Sequence, residues 1–318
     1  MDLTILTEPV SIYGYGKEII KGILGKHRKY GGHYAVTRSL IEGLQGIGYK
    51  GFNYRPQLKS QIYENVHVLS GVSTLKYAIE LKRKGKIKHL SAGPNVVVFP
   101  TDYNKLICND SIDLYLQPCE WAVKLHIDMA KELAKKCFSW AAGVNIHKFK
   151  PSRDRNGNNI LIYYKEGSRQ FMWYIDYLMR ERGFHTHIIE YGNYQLEDYM
   201  ELLSKVSLMV VIGGKESQGL FLAEAWAMDI PTVCYEINYY CWENYNRHIE
   251  ISGNNLSCPY LSSETGETFS NAEELCKIID NWDRISKKEP RRWVVENMTD
   301  EICSHKFIEM LEEYYGYR

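Results

Sequence analysis

The sequence has no apolar run long enough to cross a bilayer, no Cys-x-x-Cys pair, no internal repeat and no net charge. Each absence removes a class of protein. A membrane-spanning helix needs about 20 consecutive apolar residues, and Met1-Asp-Leu-Thr does not begin a secretory signal. Lysine plus arginine matches aspartate plus glutamate at 39 each, so no overall field draws in nucleic acid. The eight cysteines (Cys108, Cys119, Cys137, Cys234, Cys241, Cys258, Cys276 and Cys303) form no dense framework and read as free thiols of a reducing compartment. The expected location is the cytoplasm. What is present is a chain of 318 residues that is 45% hydrophobic and 13% aromatic, enough for two cores. Tyrosine is abundant, at 25 residues. Stacking surfaces and codon bias both account for that.

Strand and helix patterns alternate along the chain, which implies a parallel sheet covered on both faces. In the first half, strands are expected at Leu3–Leu6, Val66–Leu69, Asn95–Phe99 and Leu114–Leu116. Helices are expected at Tyr34–Gly46 and Val123–Phe138. In the second half, strands at Ile160–Tyr164, His187–Glu190 and Leu208–Ile212 alternate with helices at Gln170–Arg182 and Leu196–Lys205. The Gly/Pro-bearing stretch Gly143–Pro151 and the polar residues after it form the best linker candidate. Thr299–Tyr315 has the spacing of an amphipathic helix.

The most informative segment is Glu216-Ser217-Gln218-Gly219-Leu220-Phe-Leu-Ala-Glu224, which continues through Ala-Trp-Ala-Met-Asp-Ile-Pro231. It follows the apolar strand Leu208–Ile212 and precedes another, Thr232–Tyr235. It reads as strand, tight turn and helix, the helix starting near Gln218 or Gly219 and stopping before Asp229. Unpartnered N–H groups and the dipole make such a helix start a phosphate site. Glu216 lies in the turn, and Glu224 about six residues along the helix, roughly 9 Å away at 1.5 Å per residue. Two carboxylates flanking an anion site match the vicinal hydroxyls at either end of a nucleoside diphosphate sugar.

Together with Tyr191-Gly192 upstream, this segment resembles the E-x7-E motif of the GT-B glycosyltransferases, particularly the retaining, family 4-like ones. Asp229 departs from the glycine common in that family. The resemblance is specific over roughly 158–269 and looser before it. It implies an α/β fold of two Rossmann-like domains facing each other across a cleft that holds the active site. Residues 1–145 would form the acceptor domain, 146–298 the nucleotide-sugar domain, and 299–318 a helix crossing back to the first. It implies transfer of a sugar to an acceptor hydroxyl with retention, Glu224 holding the ribose and Glu216 the sugar. Lys165 and Arg169, in Lys165-Glu-Gly-Ser-Arg169, fall at a strand's carboxyl end and would meet the diphosphate. The chain has no Asp-x-Asp, the motif that holds a divalent ion in the other large glycosyltransferase fold. No metal and no cofactor are therefore expected, the nucleotide sugar being a substrate.

Other candidates are less specific. Gly31-Gly32, ahead of the first long helix, permit close backbone approach to a ligand, or form a simple turn. Asp102 follows an apolar run at the acceptor side, where an Asx-turn is the alternative. His33 and His89 are similar candidates. His185 and His187 have metal-ligand spacing but no nearby third ligand. Lys287–Arg292 is a basic patch, a solvated loop or at most a peripheral membrane contact. The acceptor is open among glycan, lipid-linked sugar and protein. Two rival functions remain: a nucleotide-sugar epimerase of the same fold, and a non-catalytic nucleotide-sugar-binding subunit.

Overall fold

Two parallel sheets organise the protein, seen in a computed structural model that describes residues 1–8, 32–55, 61–152, 155, 157–244 and 247–317. They lie in separate units, Met1–Ala141 with Cys303–Arg318, and Ala142–Ile302. Among the described residues no helix is long and apolar enough to cross a membrane.

The first unit has strands β1 (Leu3–Leu6), β2 (Phe52–Tyr54), β3 (Asn65–Ser70), β4 (His89–Asn95), β5 (Leu114–Gln117) and β6 (Cys137–Ser139). They pair in parallel in the order β2-β1-β3-β4-β5-β6. Helices α1 (Gly32–Gly46), α2 (Val72–Arg83) and α3 (Glu120–Met129) connect them. Every residue of β1 and β5 is buried, as a sheet covered on both faces requires. A C-terminal helix, Asp300–Tyr315, belongs to this unit from Cys303 onward. Its Phe307 ring lies 4.8 Å from His67 and 5.1 Å from Trp140. The Trp140 indole donates to the Cys303 carbonyl at 2.9 Å.

Two expectations fail here. The strand expected at Asn95–Phe99 lies at His89–Asn95 instead: pairing with β3 ends at Ser70↔Asn95, and among the described residues the β-branched residues beyond pair with no strand. The helix expected through Phe138 ends at Met129, where Ala130 turns extended, and a short turn then leads into β6.

The second unit has strands β7 (Asn159–Tyr164), β8 (His185–Glu190), β9 (Leu208–Ile212), β10 (Thr232–Tyr235), β11 (Tyr239–Asn244), β12 (Arg247–Ser252) and β13 (Gly266–Phe269). Five of them form a parallel sheet in the order β13-β10-β9-β7-β8, and β11 and β12 form a separate antiparallel hairpin. Helices α4 (Arg169–Glu181), α5 (Leu196–Lys205), α6 (Leu220–Ala227), α7 (Ala272–Asp280), α8 (Trp282–Ser286) and α9 (Pro290–Asn297) complete the unit. The chain enters the sheet one strand in from the edge at β7, moves outward to the edge strand β8, then crosses back to β9. The order reverses between β7 and β9, and beyond the carboxyl ends of such a pair lies the ligand crevice of a doubly wound sheet.

Helix α6 is buried on every side. Phe221 stacks on Tyr163 with centroids 4.2 Å apart and planes 4° apart, and the Tyr199 hydroxyl donates to the Phe221 carbonyl at 2.7 Å. The Trp226 indole donates to Thr232 Oγ1 at 3.0 Å. At the helix end Asp229 adopts φ 60°, the left-handed geometry that glycine usually supplies. Two arginines cover the last carbonyls: Arg155 donates to Met228 and Asp229, and Arg291 to Ala227, with further bonds to Phe149 and Ile146 at 3.1 and 3.3 Å.

The stretch Lys287–Arg292 is thus not a solvated patch throughout, since Arg291 is a helix cap. The candidate linker is not a loose connection either. Phe149 is buried, Val144 bridges Thr299, and a Cβ on Gly143 would lie 2.3 Å from the Thr299 carbonyl oxygen. Replacing Arg291 with alanine strands three carbonyls at once, and a charged hydrogen-bond donor is worth about 1.5–3 kcal/mol. The expected loss is roughly 3 kcal/mol, read as a lower denaturant midpoint at unchanged slope.

Candidate active site

The loops that leave β7 and β9 meet at the switch point. The Lys165 amide donates to the Ile212 carbonyl at 2.8 Å, tying the two strand ends together. The Lys165 ammonium donates to the Glu216 carboxylate and stands 4.9 Å from the Tyr191 ring centroid. The pair is largely shielded, with side chains 21% and 13% exposed. Burial raises the Glu216 carboxyl pKa, while Lys165 and the Gly219 amide oppose that rise. The Glu216 amide donates to the Leu256 carbonyl at 2.6 Å, fixing the turn from the far side.

Gly214 and Gly219 both lie in this turn. At Gly214 an added Cβ would displace only the flexible, exposed Glu166 carboxylate, so the requirement for glycine falls on Gly219 alone. Gly219 caps helix α6 at φ 63°, ψ 44°, a left-handed conformation that lets the chain turn sharply into the helix. Ser217 is half-buried and Leu220 buried. Gln218 is committed to the backbone: its amide accepts from the Ala142 N–H and donates to the Ala142 carbonyl, both at 3.2 Å. Glu224 lies inside the buried helix, 4% exposed. Nearby, the Tyr194 phenol is pushed up to about 12, chiefly by burial, with the charges of Glu224 and Glu216 adding to the rise. Tyr194 also shares a 2.8 Å hydrogen bond with Tyr163.

The other expected residues divide into two groups. Arg169 opens α4 at the same sheet edge, but Glu190 grips its guanidinium through two bonds of 2.6 and 2.9 Å. Tyr191 is half-exposed and Gly192, at φ 82°, turns the loop after β8. These residues share the carboxyl edge of the second sheet. Asp102, Gly32, His33 and His89 belong to the first unit. The Asp102 carboxylate accepts from the Phe99 amide three residues upstream at 2.9 Å, a local contact that runs backwards along the chain and so is not the Asx-turn expected, which bonds an amide two residues on. Gly32 and His33 start α1, and His89 stacks on Tyr315 at 4.3 Å. Gly31 lies outside the described residues. His185 and His187 sit on β8 and join no metal-ligand cluster among the described residues.

Lys215 and the β11–β12 hairpin were not anticipated. The Lys215 ammonium lies 3.8 Å from the Tyr240 ring centroid and 3.7 Å from that of Trp242. The Tyr240 hydroxyl in turn donates to Glu166. Burial lowers the Lys215 pKa to about 8, with Glu166 and Glu216 holding it up and Lys165 pressing it down. The available signal was the alternation Tyr240, Cys241, Trp242, Glu243, which is the period of a strand with one apolar face.

No family model and no curated protein matches the chain. Solved structures do. Sucrose-phosphate synthase from Thermosynechococcus elongatus matches with a TM-score of 0.56 at 12% identity, over 100% of both chains. The lipopolysaccharide outer core galactosyltransferase WaaB matches with 0.55 at 14% identity, over 98% of this chain and 99% of that one. TarM matches with 0.50 at 14% identity, over 78% of this chain and 55% of that one. At such identities the likeness establishes the fold, two Rossmann-like α/β units of the GT-B type.

Lys215 generates a pH test. Its folded pKa lies below the ordinary lysine value, so between pH 8 and about 10.5 the unfolded chain holds a proton that the native one has lost. Stability attributable to Lys215 therefore rises with pH across that window. Lys215→Met removes this contribution. Its unfolding midpoint is expected to fall progressively further behind that of wild type as the pH is raised from 7.5 to 10.

Proposed function

We propose that the protein transfers a glycosyl group from a nucleoside diphosphate sugar to an acceptor hydroxyl, with retention and without a metal on the donor phosphates. The observation that carries this reading is the meeting of Lys165 and Glu216 at the β7/β9 switch point, with Glu224 eight positions on in a helix capped by Gly219. The GT-B fold supports it.

In this reading the diphosphate lies against the start of α6, between the two glutamates. Lys165 exchanges Glu216 for a phosphate oxygen and stabilises the negative charge that builds up on the leaving diphosphate. Its release frees Glu216 to accept from a sugar hydroxyl. Glu224 accepts from the ribose hydroxyls, and Ser217, Gly219 and Leu220 offer backbone N–H groups to the phosphates. Gln218 keeps the turn in place through Ala142. Tyr191 and Gly192 line the side next to Lys165. Arg169, already neutralised by Glu190, has a supporting role. The acceptor is a glycan, a lipid-linked sugar or a protein hydroxyl.

The roles of the two glutamates separate experimentally. A thermal-shift screen of UDP, GDP, ADP and CDP identifies the base. Glu224→Ala is then expected to weaken that nucleotide at least tenfold, about 1.4 kcal/mol or more. Glu216→Ala is expected to leave nucleotide affinity within about twofold and to cut turnover tenfold for each 1.4 kcal/mol of transition-state stabilisation removed. Product anomers read by NMR report on retention. Unchanged nucleotide binding in Glu224→Ala, or a new nucleotide sugar accumulating without acceptor, would overturn the reading.

A further inference from the structure

The β11–β12 hairpin makes no strand pairing with the five-stranded sheet among the described residues, and its two faces differ in kind. Cross-strand pairs Tyr240↔Ile251 and Trp242↔Ile249 occupy the inner face, where Lys215 lies over the two rings. Pairs Cys241↔Glu250 and Glu243↔His248 occupy the outer face. Strand alternation alone thus brings a thiol, an imidazole and two carboxylates together.

We propose that this outer face binds one Zn²⁺ ion through Cys241 Sγ, His248 Nδ1 and a Glu243 carboxylate oxygen, with water completing the tetrahedron. The three ligand atoms lie within 4.8 Å of one another. Cys241 Sγ is 3.4 Å from His248 Nδ1, and His248 Nδ1 is 3.4 Å from Glu243 Oε1. With Zn–S of about 2.3 Å and Zn–N and Zn–O of about 2.0–2.1 Å, a tetrahedral site has S···N and N···O edges of roughly 3.5 and 3.3 Å. The third edge, Cys241 Sγ to Glu243 Oε1, is 4.0 Å and needs only a small side-chain rotation to close.

Glu250 supplies what a ligating histidine ordinarily has behind it. Its Oε1 is 3.2 Å from His248 Nε2, on the far side of the ring from the ligand atom. A carboxylate there keeps the proton on Nε2, leaves the Nδ1 lone pair toward the metal and raises its basicity. Glu243 and His248 are well exposed, at 77% and 58%, so an ion can enter from solvent. Binding would displace the Cys241 thiol proton to solvent, giving thiolate–zinc and an affinity that falls in acid. The ion would clip a two-stranded hairpin, an element marginal by itself in water. This site is separate from the donor phosphates, and the inference does not depend on the transfer reading, since metal binding needs no sugar.

Titration of the full chain with Co²⁺ in thiol-free buffer tests it. One equivalent is expected to produce a thiolate-to-cobalt charge-transfer band and the intense d–d bands of a tetrahedral ion, all displaced by Zn²⁺. Cys241→Ser should abolish the charge-transfer band, and His248→Ala should weaken Zn²⁺ at least 100-fold. Glu250→Gln should weaken it 10- to 100-fold through the ring, while Cys108→Ser changes nothing. Hydrogen exchange should show Zn²⁺-dependent protection at 239–252. Should a substituted hairpin lose its structure, the wild-type exchange result still decides. No charge-transfer band, a band that survives Cys241→Ser, or protection confined to other segments overturns the proposal.

Discussion

The parallel pairing of β7 with β9 is the constraint on which the candidate site depends. Its register places Tyr164 opposite Ile212, so the two strands end level. One further backbone bond, Lys165 to Ile212, carries that alignment into the loops. A lysine and a glutamate 51 residues apart in the chain are thereby forced together in a shielded place. Burying such a pair costs desolvation of both ions, and mutual attraction only partly returns it. The raised Glu216 pKa is the visible sign of that cost. In the proposed reading the pair is re-partnered by a ligand that offers Lys165 an oxygen of a doubly charged diphosphate and Glu216 a hydroxyl.

Such an exchange requires its surroundings to stay still, and helix α6 shows how that is arranged. It has eight residues, all buried, so no amphipathic face orients it and packing on every side must do so. Tyr163 stacks on its first turn and Trp226 anchors its last. Gly219 and Asp229 both take left-handed backbone at its two ends. A glycine meets that demand without a Cβ, whereas Asp229 meets it with help, its carboxylate accepting from the Arg291 amide at 3.2 Å. The two arginine side chains stand in for the missing next turn. Glu224 is consequently held on a rigid element, which is the condition for a precise contact.

This pattern explains what could be read from the sequence. Residues 208–235 were legible because strand, turn, helix and next strand follow one another, each signalled by its own residues. β9, α5 and β10 fall on the expected residues, and α6 starts at Leu220, one or two residues after the expected start near Gln218 or Gly219. The misses share a different cause. Strand β4 carries Ser, Gly and Pro inside a buried sheet, while the Val-rich run after it looks more like a strand but pairs with none among the described residues. Gly143–Pro151 has linker composition, yet its conformation is set by Thr299 and Arg291, about 150 residues away. Arg169 has the right place for a phosphate contact, but Glu190, from the next strand, engages it. Local pattern cannot reveal a partner supplied by a distant strand.

The hairpin illustrates the same point with two faces at once. Two of its aromatic residues, Tyr240 and Trp242, meet Lys215, a cation one residue from Glu216. Tyr240 and Trp242 lie over that cation, an attraction that partly offsets the cost of burying it. The rings can hold that position only as well as the two-stranded ladder holds them, and such a ladder is weak unless something clips it. Cys241 and Glu243 interleave with the two rings on one strand, and their cross-strand partners Glu250 and His248 complete the outer face. Any interaction that ties those four side chains together therefore stiffens the aromatic pair by the geometry of the strand itself. Coupling between the outer cluster and the Lys215 loop would run through the backbone ladder and would not require the field of the ion.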